Sequence, residues 1–386
     1  MKLSLTGGRV LQADGTITET RVDFDGGEIQ NFAQPDTTAS RSWDVSGHLV
    51  LPAIVDLHGG ALERHMISRP GGKTSPKLAL QDSDRQLVAN GIATAYHAIT
   101  YSWEPGLRGR DAVVGLLEAA ERMRPHLMCD TRVHLRWEQY NTPGAADVAE
   151  WMKRGKIDLL AFNDHMNLIR RALADPQKLA QYAARAGLTV AAYLDLVDEV
   201  ETRTTGIRAK TEWLAMLAGQ RSISCTSHGD GSPDIRADFA RLGAGLCASP
   251  RNTQTARHAR HMETPVMMGA PDVLRGRDLG DRLCATTAVE QGLCSILTSD
   301  DDCPSLLQAP FKLAAENGID FATAWNMVSK NPATAARLQD RGQIKPGQRA
   351  DVVVVDDKVP GCPQVVATFV AGQPVHLIDA GYRMCA

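Results

Sequence analysis

Leu49-Val50-Leu51-Pro52-Ala53-Ile54-Val55-Asp56-Leu57-His58-Gly59-Gly60-Ala61-Leu62-Glu63-Arg64-His65 decides how the rest of the chain is read. Its apolar part predicts a buried strand over 50–57. Such a strand belongs in a parallel sheet covered on both faces. It stops at His58 and two glycines, followed by an acid and a second His. In parallel α/β enzymes the chemistry sits at the C-terminal ends of the strands, where His58 falls.

Outward from this stretch, short apolar runs recur at 92–98, 132–137, 159–163, 222–226, 245–248, 265–269 and 295–299. Helical patterns lie between them at 111–123, 178–186, 209–218, 235–242 and 279–291. Strands that alternate with helices pair in parallel through crossover connections. Eight strands predict an α/β fold of the closed (β/α)8 type, a TIM-like barrel. A doubly wound open sheet is the alternative, but the first strand lacks the GxGxxG of its nucleotide-binding form. The segment 168–206 is a long insert, and 188–200 reads equally well as helix or strand. Both ends of the chain are β-rich. Val22-Asp23-Phe24 precedes an Asp25-Gly26-Gly27 turn, and Ala350-Asp351-Val352-Val353-Val354-Val355-Asp356 is a buried run near the other end. Neither end has enough strand to bury a face alone, so the two are expected to form one small β-sandwich. The expected division is 1–50 with 345–386 for the sandwich and 51–344 for the barrel.

The 386 residues carry 42 basic and 45 acidic side chains, a formal charge of −3. That balance supplies no field for nucleic acid or for an anionic membrane. No apolar run approaches the roughly 20 residues needed to span a bilayer. The opening MKLSLTGGRV has no signal-peptide core, and the eight cysteines show no CxxC spacing. Free, buried thiols in a cytoplasmic protein are expected.

Polar residues gather at the predicted strand ends: His58, His134 with Glu138, Asn163-Asp164-His165, Ser227-His228 and Ser299-Asp300. A lone His or Asp there ordinarily caps a helix or satisfies a loop. Barrel closure would bring all five ends onto one rim, and His, Asp and Glu are the ligands a divalent cation such as zinc takes. A bound cation lowers the pKa of its water to about 7, and a nearby carboxylate takes the proton. Asp300 is the candidate for that carboxylate and Glu138 for a bridging or direct ligand. Arg64, Arg69, Arg136, Arg251 and Arg275 fall near the same rim, where planar guanidinium donors suit phosphate or phosphonate oxygens. Arg136 is alternatively a partner holding Glu138.

These motifs resemble the amidohydrolase superfamily. The likeness rests on Leu51-Pro52-Ala53-Ile54-Val55-Asp56-Leu57-His58, on Ser299-Asp300, and on Lys330-Asn331-Pro332-Ala333 followed by Gly342 to Asp351. Within the superfamily the chain is most similar to the diphosphatase subfamily of phosphonate metabolism. Leu62-Glu63-Arg64-His65, His134-Leu135-Arg136-x-Glu138, Asp164-His165, Ser227-His228 and Gly269-Ala270-Pro271-Asp272 carry that likeness.

The resemblance implies a metal-dependent hydrolase with zinc as one or two ions, ligated by His58, Glu138, His165, His228 and Asp300. Asp300 is also the implied catalytic residue. Arg64, Arg69, Arg136 and Arg275 are the implied contacts to a small anionic substrate, and a homodimer is the common assembly. The expected activity is hydrolysis of a phosphorylated or phosphonate-containing molecule. Hydrolysis of a C–N bond, or ligand binding without turnover, are the alternatives. The chain departs from the pattern at Gly60, where the superfamily has the second His of His-x-His, with Glu63 or His65 as candidate replacements. It departs again at Gly229, at 248–251 and at 277–281.

Overall fold

The computed structural model describes residues 2–30, 41–66, 74–276, 282–378 and 384–385. The opening stretch holds two strands, not one. Leu49–Pro52 pairs antiparallel with Val352–Asp356 and parallel with Leu3–Leu11, in a sheet built from both ends of the chain. Ile54–Gly59 begins a second sheet. The break falls at Pro52 and Ala53 because proline has no N–H to carry a ladder onward. Ala53 N donates to Asp351 O, whereas Ile54 N donates to Gly91 O, so the chain changes sheets within one residue.

The second sheet has eight parallel strands in sequence order. After Ile54–Gly59 come Ile92–Tyr101, Asp130–Glu138, Leu159–Asn163, Ser224–His228, Leu246–Ala248, Val266–Gly269 and Ile296–Thr298. The eighth strand returns beside the first through a parallel bridge between Gly59 and Asp300. This is the (β/α)8 barrel expected from the alternation of elements. Its lower lumen is apolar: Val55, Leu57, Tyr96, Leu159, Leu246, Met267 and Ile296 meet there. Ala333, from the helix Lys330–Ala335, closes the floor.

On the third strand Val133, Leu135 and Trp137 pack outward against Val113, Leu116 and Leu117 of the helix Arg110–Met123. Strand alternation therefore turns His134, Arg136 and Glu138 inward. In the insert, 188–200 folds as the helix Val190–Glu201, capped by Thr189. Tyr193, Val197 and Val200 recur at helical spacing and are fully buried. The insert is tied down by Glu104, itself 2% exposed, which accepts Arg185 Nη2 at 2.6 and 2.7 Å and the Tyr193 hydroxyl at 2.6 Å.

The sheet from the two ends runs Gln373–Leu377, Gln364–Val370, Val352–Asp356, Leu49–Pro52, Leu3–Leu11, Ile17–Asp25 and Glu28–Ile29. Phe24, Trp43 and Phe369 pack in its core. Asp130, at the start of the third barrel strand, accepts Arg341 at 2.6 Å and Arg349 at 3.3 Å, and so joins the barrel floor to this sheet. Among the described residues no helix is long and apolar enough to cross a membrane.

Candidate active site

The barrel seam builds the first part of the site. Asp56 is fully buried beneath His58. Its Oδ1 accepts His58 N at 3.0 Å and Ser299 N at 3.2 Å, and its Oδ2 accepts the Ser299 hydroxyl at 2.5 Å. One carboxylate thus clamps the ends of the first and eighth strands and sets the backbone from which His58 and Asp300 project. Burial pushes the Asp56 carboxyl up, against the three hydrogen bonds. His58 Nε2 lies 4.0 Å from Asp300 Oδ1.

His58 is also a neighbour of two other imidazoles. Its ring centroid is 5.0 Å from that of His134 and 5.8 Å from that of His228. His228 is in turn 5.7 Å from His165. His165 Nδ1 sits 2.7 Å from Glu138 Oε1, and His165 N donates to Glu138 Oε2 at 3.3 Å. Glu138, Asn163 and His228 are paired in register across three adjacent strands, so they occupy one row of the rim. The structure therefore brings His58, Glu138, His165, His228 and Asp300 to the same mouth.

Burial, with Arg136 adding to it, pulls the pKa of His58 and His228 well below normal and that of His134 down to about 3. These imidazoles are neutral at pH 7, the form that binds cations. Glu138 is pulled up by burial, but His165 and Arg136 outweigh it and keep the carboxyl below its ordinary value. Asp300 is pushed up by partial desolvation and by Asp301, although its side chain is 62% exposed.

Among the described residues no group of three or more His, Cys, Asp or Glu side chains is gathered tightly enough to hold a cation as it stands. The donor chemistry nevertheless suits one. His134 Nε2 is buried without a hydrogen-bond partner, as are both amide atoms of Asn163. Buried orphans of this kind call for an occupant, and a divalent ion drawing the paired ligands together satisfies them.

The arginines divide. Arg136 does not hold Glu138 as a salt-bridge partner. Its Nη2 is 3.5 Å from His228 Nε2, its Nε is buried without a partner, and among the described residues no ion pair reaches it. It faces the lumen because it shares strand parity with His134 and Glu138. Arg64 is exposed and donates to the Asp301 carbonyl, beside Asp300. Arg275 is paired with Asp272 on its own helix at 3.2 Å. Arg69 lies outside the described residues, as do 277–281.

Gly60 packs on the seam. Its N–H donates to Asp300 O, and a Cβ there would lie 2.8 Å from that oxygen. Glu63 is already held by Arg108 through two hydrogen bonds of 3.2 and 2.9 Å, so it is not a free replacement ligand. Cys225, Cys294 and Cys303 are free and buried, with burial pushing each thiol up to about 12, which suits packing and not nucleophilic attack. His134 and Asn163 stand on the same rim beside the five expected ligands. The alternation His134-x-Arg136-x-Glu138 carried the signal for the first.

The model of the amidohydrolase family matches residues 307–376. The alpha-D-ribose 1-methylphosphonate 5-triphosphate diphosphatase of Escherichia coli (strain K12) is 27% identical over 356 residues, 90% of this chain and 94% of that protein. The chain is thus similar to amidohydrolases, over its C-terminal part by the family model and over most of its length by this relative. Solved structures of hydrolases share the fold of this chain. A prolidase complexed with N-methylphosphonate-L-proline superposes with a TM-score of 0.66 at 14% identity, covering 98% of this chain and 100% of that one. The atrazine chlorohydrolase TrzN of Arthrobacter aurescens TC1, complexed with zinc, gives 0.61 at 13% identity over 97% and 95%. The family-model match and the diphosphatase relative support a hydrolase.

Proposed function

We propose that this protein is a hydrolase of the amidohydrolase type that hydrolyses a phosphorylated or phosphonate-bearing small molecule, with a divalent cation, zinc in our reading, held by His58, His165, His228, Glu138 and Asp300. The observation that carries the reading is the meeting on one rim of neutral imidazoles and carboxylates with the guanidinium of Arg136, which has no ion pair among the described residues. The similarity to a diphosphatase over most of the chain supports the same substrate class.

When bound, the cation supplies an acidified water and polarises the oxygen of the bond to be broken. Asp300 takes the proton at its carboxylate. It is exposed to the mouth and its pKa is raised, so it can accept a proton and return it to the leaving oxygen. Glu138 fixes the ring of His165 through Nδ1 and leaves Nε2 free to ligate. Arg136 faces the negative charge that builds up on the reacting group, inside a mouth where water screens it little.

Metal analysis of the purified protein, followed by a panel scored for phosphate, pyrophosphate and ammonia release, tests the proposal. Bound zinc, phosphate or pyrophosphate release abolished by EDTA, and loss of turnover with retained fold in Asp300→Asn are expected. Ammonia release without phosphorus chemistry would move the reaction to a C–N bond. Full activity in metal-free protein would end the proposal.

A further inference from the structure

Beside His228, the ends of the fourth, fifth and sixth barrel strands enclose a cavity of about 270 Å3. Its walls include Gln139, Asp164, His228, Gly229, Gly231 and Arg251. Arg251 is anchored by its main chain on both sides: its N–H donates to Asp230 O at 3.0 Å and its carbonyl accepts Leu283 N at 3.1 Å. Its guanidinium, by contrast, has no ion pair or hydrogen bond among the described residues.

The reason lies in the residues around it. Cβ atoms placed on Gly229 and Gly231 would be 3.8 Å from Arg251 Nε and 4.0 Å from its Cδ, so on this side the arginine lies against glycine backbone. The adjacent carboxylate, Asp230, is committed elsewhere. It accepts the Ser227 hydroxyl at 2.7 Å and faces the fully buried Arg236 at 3.5 Å. Asp164 lines the cavity too, with Oδ1 accepting Met166 N at 3.1 Å. The cavity therefore offers a fork of donors that no carboxylate engages by hydrogen bond or close ion pair among the described residues, although Asp164 and Asp230 feel its charge, and beside it the carboxylate acceptor of Asp164. A planar guanidinium with unsatisfied donors in a recess matches a tetrahedral oxyanion.

We infer that this cavity is an oxyanion subsite in which Arg251 holds a phosphate or phosphonate group of the substrate while Asp164 accepts a hydrogen bond from a hydroxyl of the same molecule. The inference rests on the phosphorylated-substrate reading above and adds to it the residues that recognise the anion. His228 forms a wall of the cavity and contacts Arg136. The held group thus lies next to the rim where hydrolysis is placed.

Calorimetric titration of the full-length protein, as purified and again after EDTA, with inorganic phosphate and with glycerol 3-phosphate tests this. Saturable binding in both preparations is expected, because the anchor is the arginine. Arg251→Gln should weaken both probes by at least about tenfold, and Arg251→Lys should weaken them less, while Arg154→Gln on the outer surface should change nothing. Glycerol 3-phosphate should bind more tightly than phosphate, and Asp164→Ala should remove that advantage. Absence of saturable binding, or wild-type affinity in Arg251→Gln, would overturn the subsite. If Arg251→Gln does not fold, wild-type affinity in Arg251→Lys would overturn it. Phosphate release by wild-type enzyme would then still stand. Conversely, Arg251-dependent binding without any phosphorus turnover would overturn the reaction and leave the subsite.

Discussion

Gly60 occupies the position where a second imidazole would extend the first-strand motif, and its surroundings leave no room for one. The missing side chain is replaced by a backbone hydrogen bond to Asp300, with the Asp300 oxygen 2.8 Å from where a Cβ would stand. Backbone cannot yield as a flexible side chain does, so Gly60→Ala should cost about 1–3 kcal/mol, read as a lower urea midpoint. A midpoint equal to wild type would mean that the seam relaxes freely. The same contact bears on metal count. With position 60 closed and Glu63 held by Arg108, close to one zinc per chain is expected by elemental analysis. Two ions per chain would show that a ligand is recruited from elsewhere.

At the level of elements, two buried carboxylates hold pieces of the barrel together. Asp56 joins the first and eighth strands, and its removal leaves His58 N, Ser299 N and the Ser299 hydroxyl without acceptors. Asp56→Ala is expected to destabilise by about 3 kcal/mol and to lower metal affinity with it, measured by denaturation and by competition with a chelator. Unchanged metal affinity would separate the seam from the site. Glu104 does the corresponding work for the helical insert, where Arg185 and Tyr193 converge on it. In Glu104→Ala, Arg185 loses its ion-pair partner, and amide exchange should accelerate in Pro176–Ala186 and Val190–Glu201 ahead of the barrel. Uniform exchange across the chain would show that the insert has no independent opening.

For the molecule as a whole, acid lability follows from its buried imidazoles. Burial pulls His97 down to about 4, with His65 and Arg124 adding to the effect. The unfolded chain protonates this residue near pH 6.5, whereas the native protein does not until about pH 4. Between those values the unfolded state holds the extra proton, so stability falls as pH falls. Above that window His97 contributes no pH dependence. Between pH 7 and 5 the unfolding free energy should decline, and His97→Gln should flatten the slope by up to about 1.4 kcal/mol per pH unit. A variant with the wild-type slope would assign the lability to other groups.

The barrel was legible from local pattern, because a buried parallel strand and an amphipathic helix each announce themselves within a dozen residues. His58, His228 and Asp300 could be picked out for the same reason: polar residues that terminate apolar runs must sit at strand ends. What the chain alone determined was the order of strands and helices, and with it the rim on which those ends meet. Only the tertiary structure decided that Pro52 passes the chain between two sheets, that Arg136 turns to His228 and not to Glu138, and that the Arg251 guanidinium has no hydrogen bond or ion pair among the described residues. Each of these depends on which segment fills the neighbouring space, and sequence spacing does not encode a neighbour tens to hundreds of residues away.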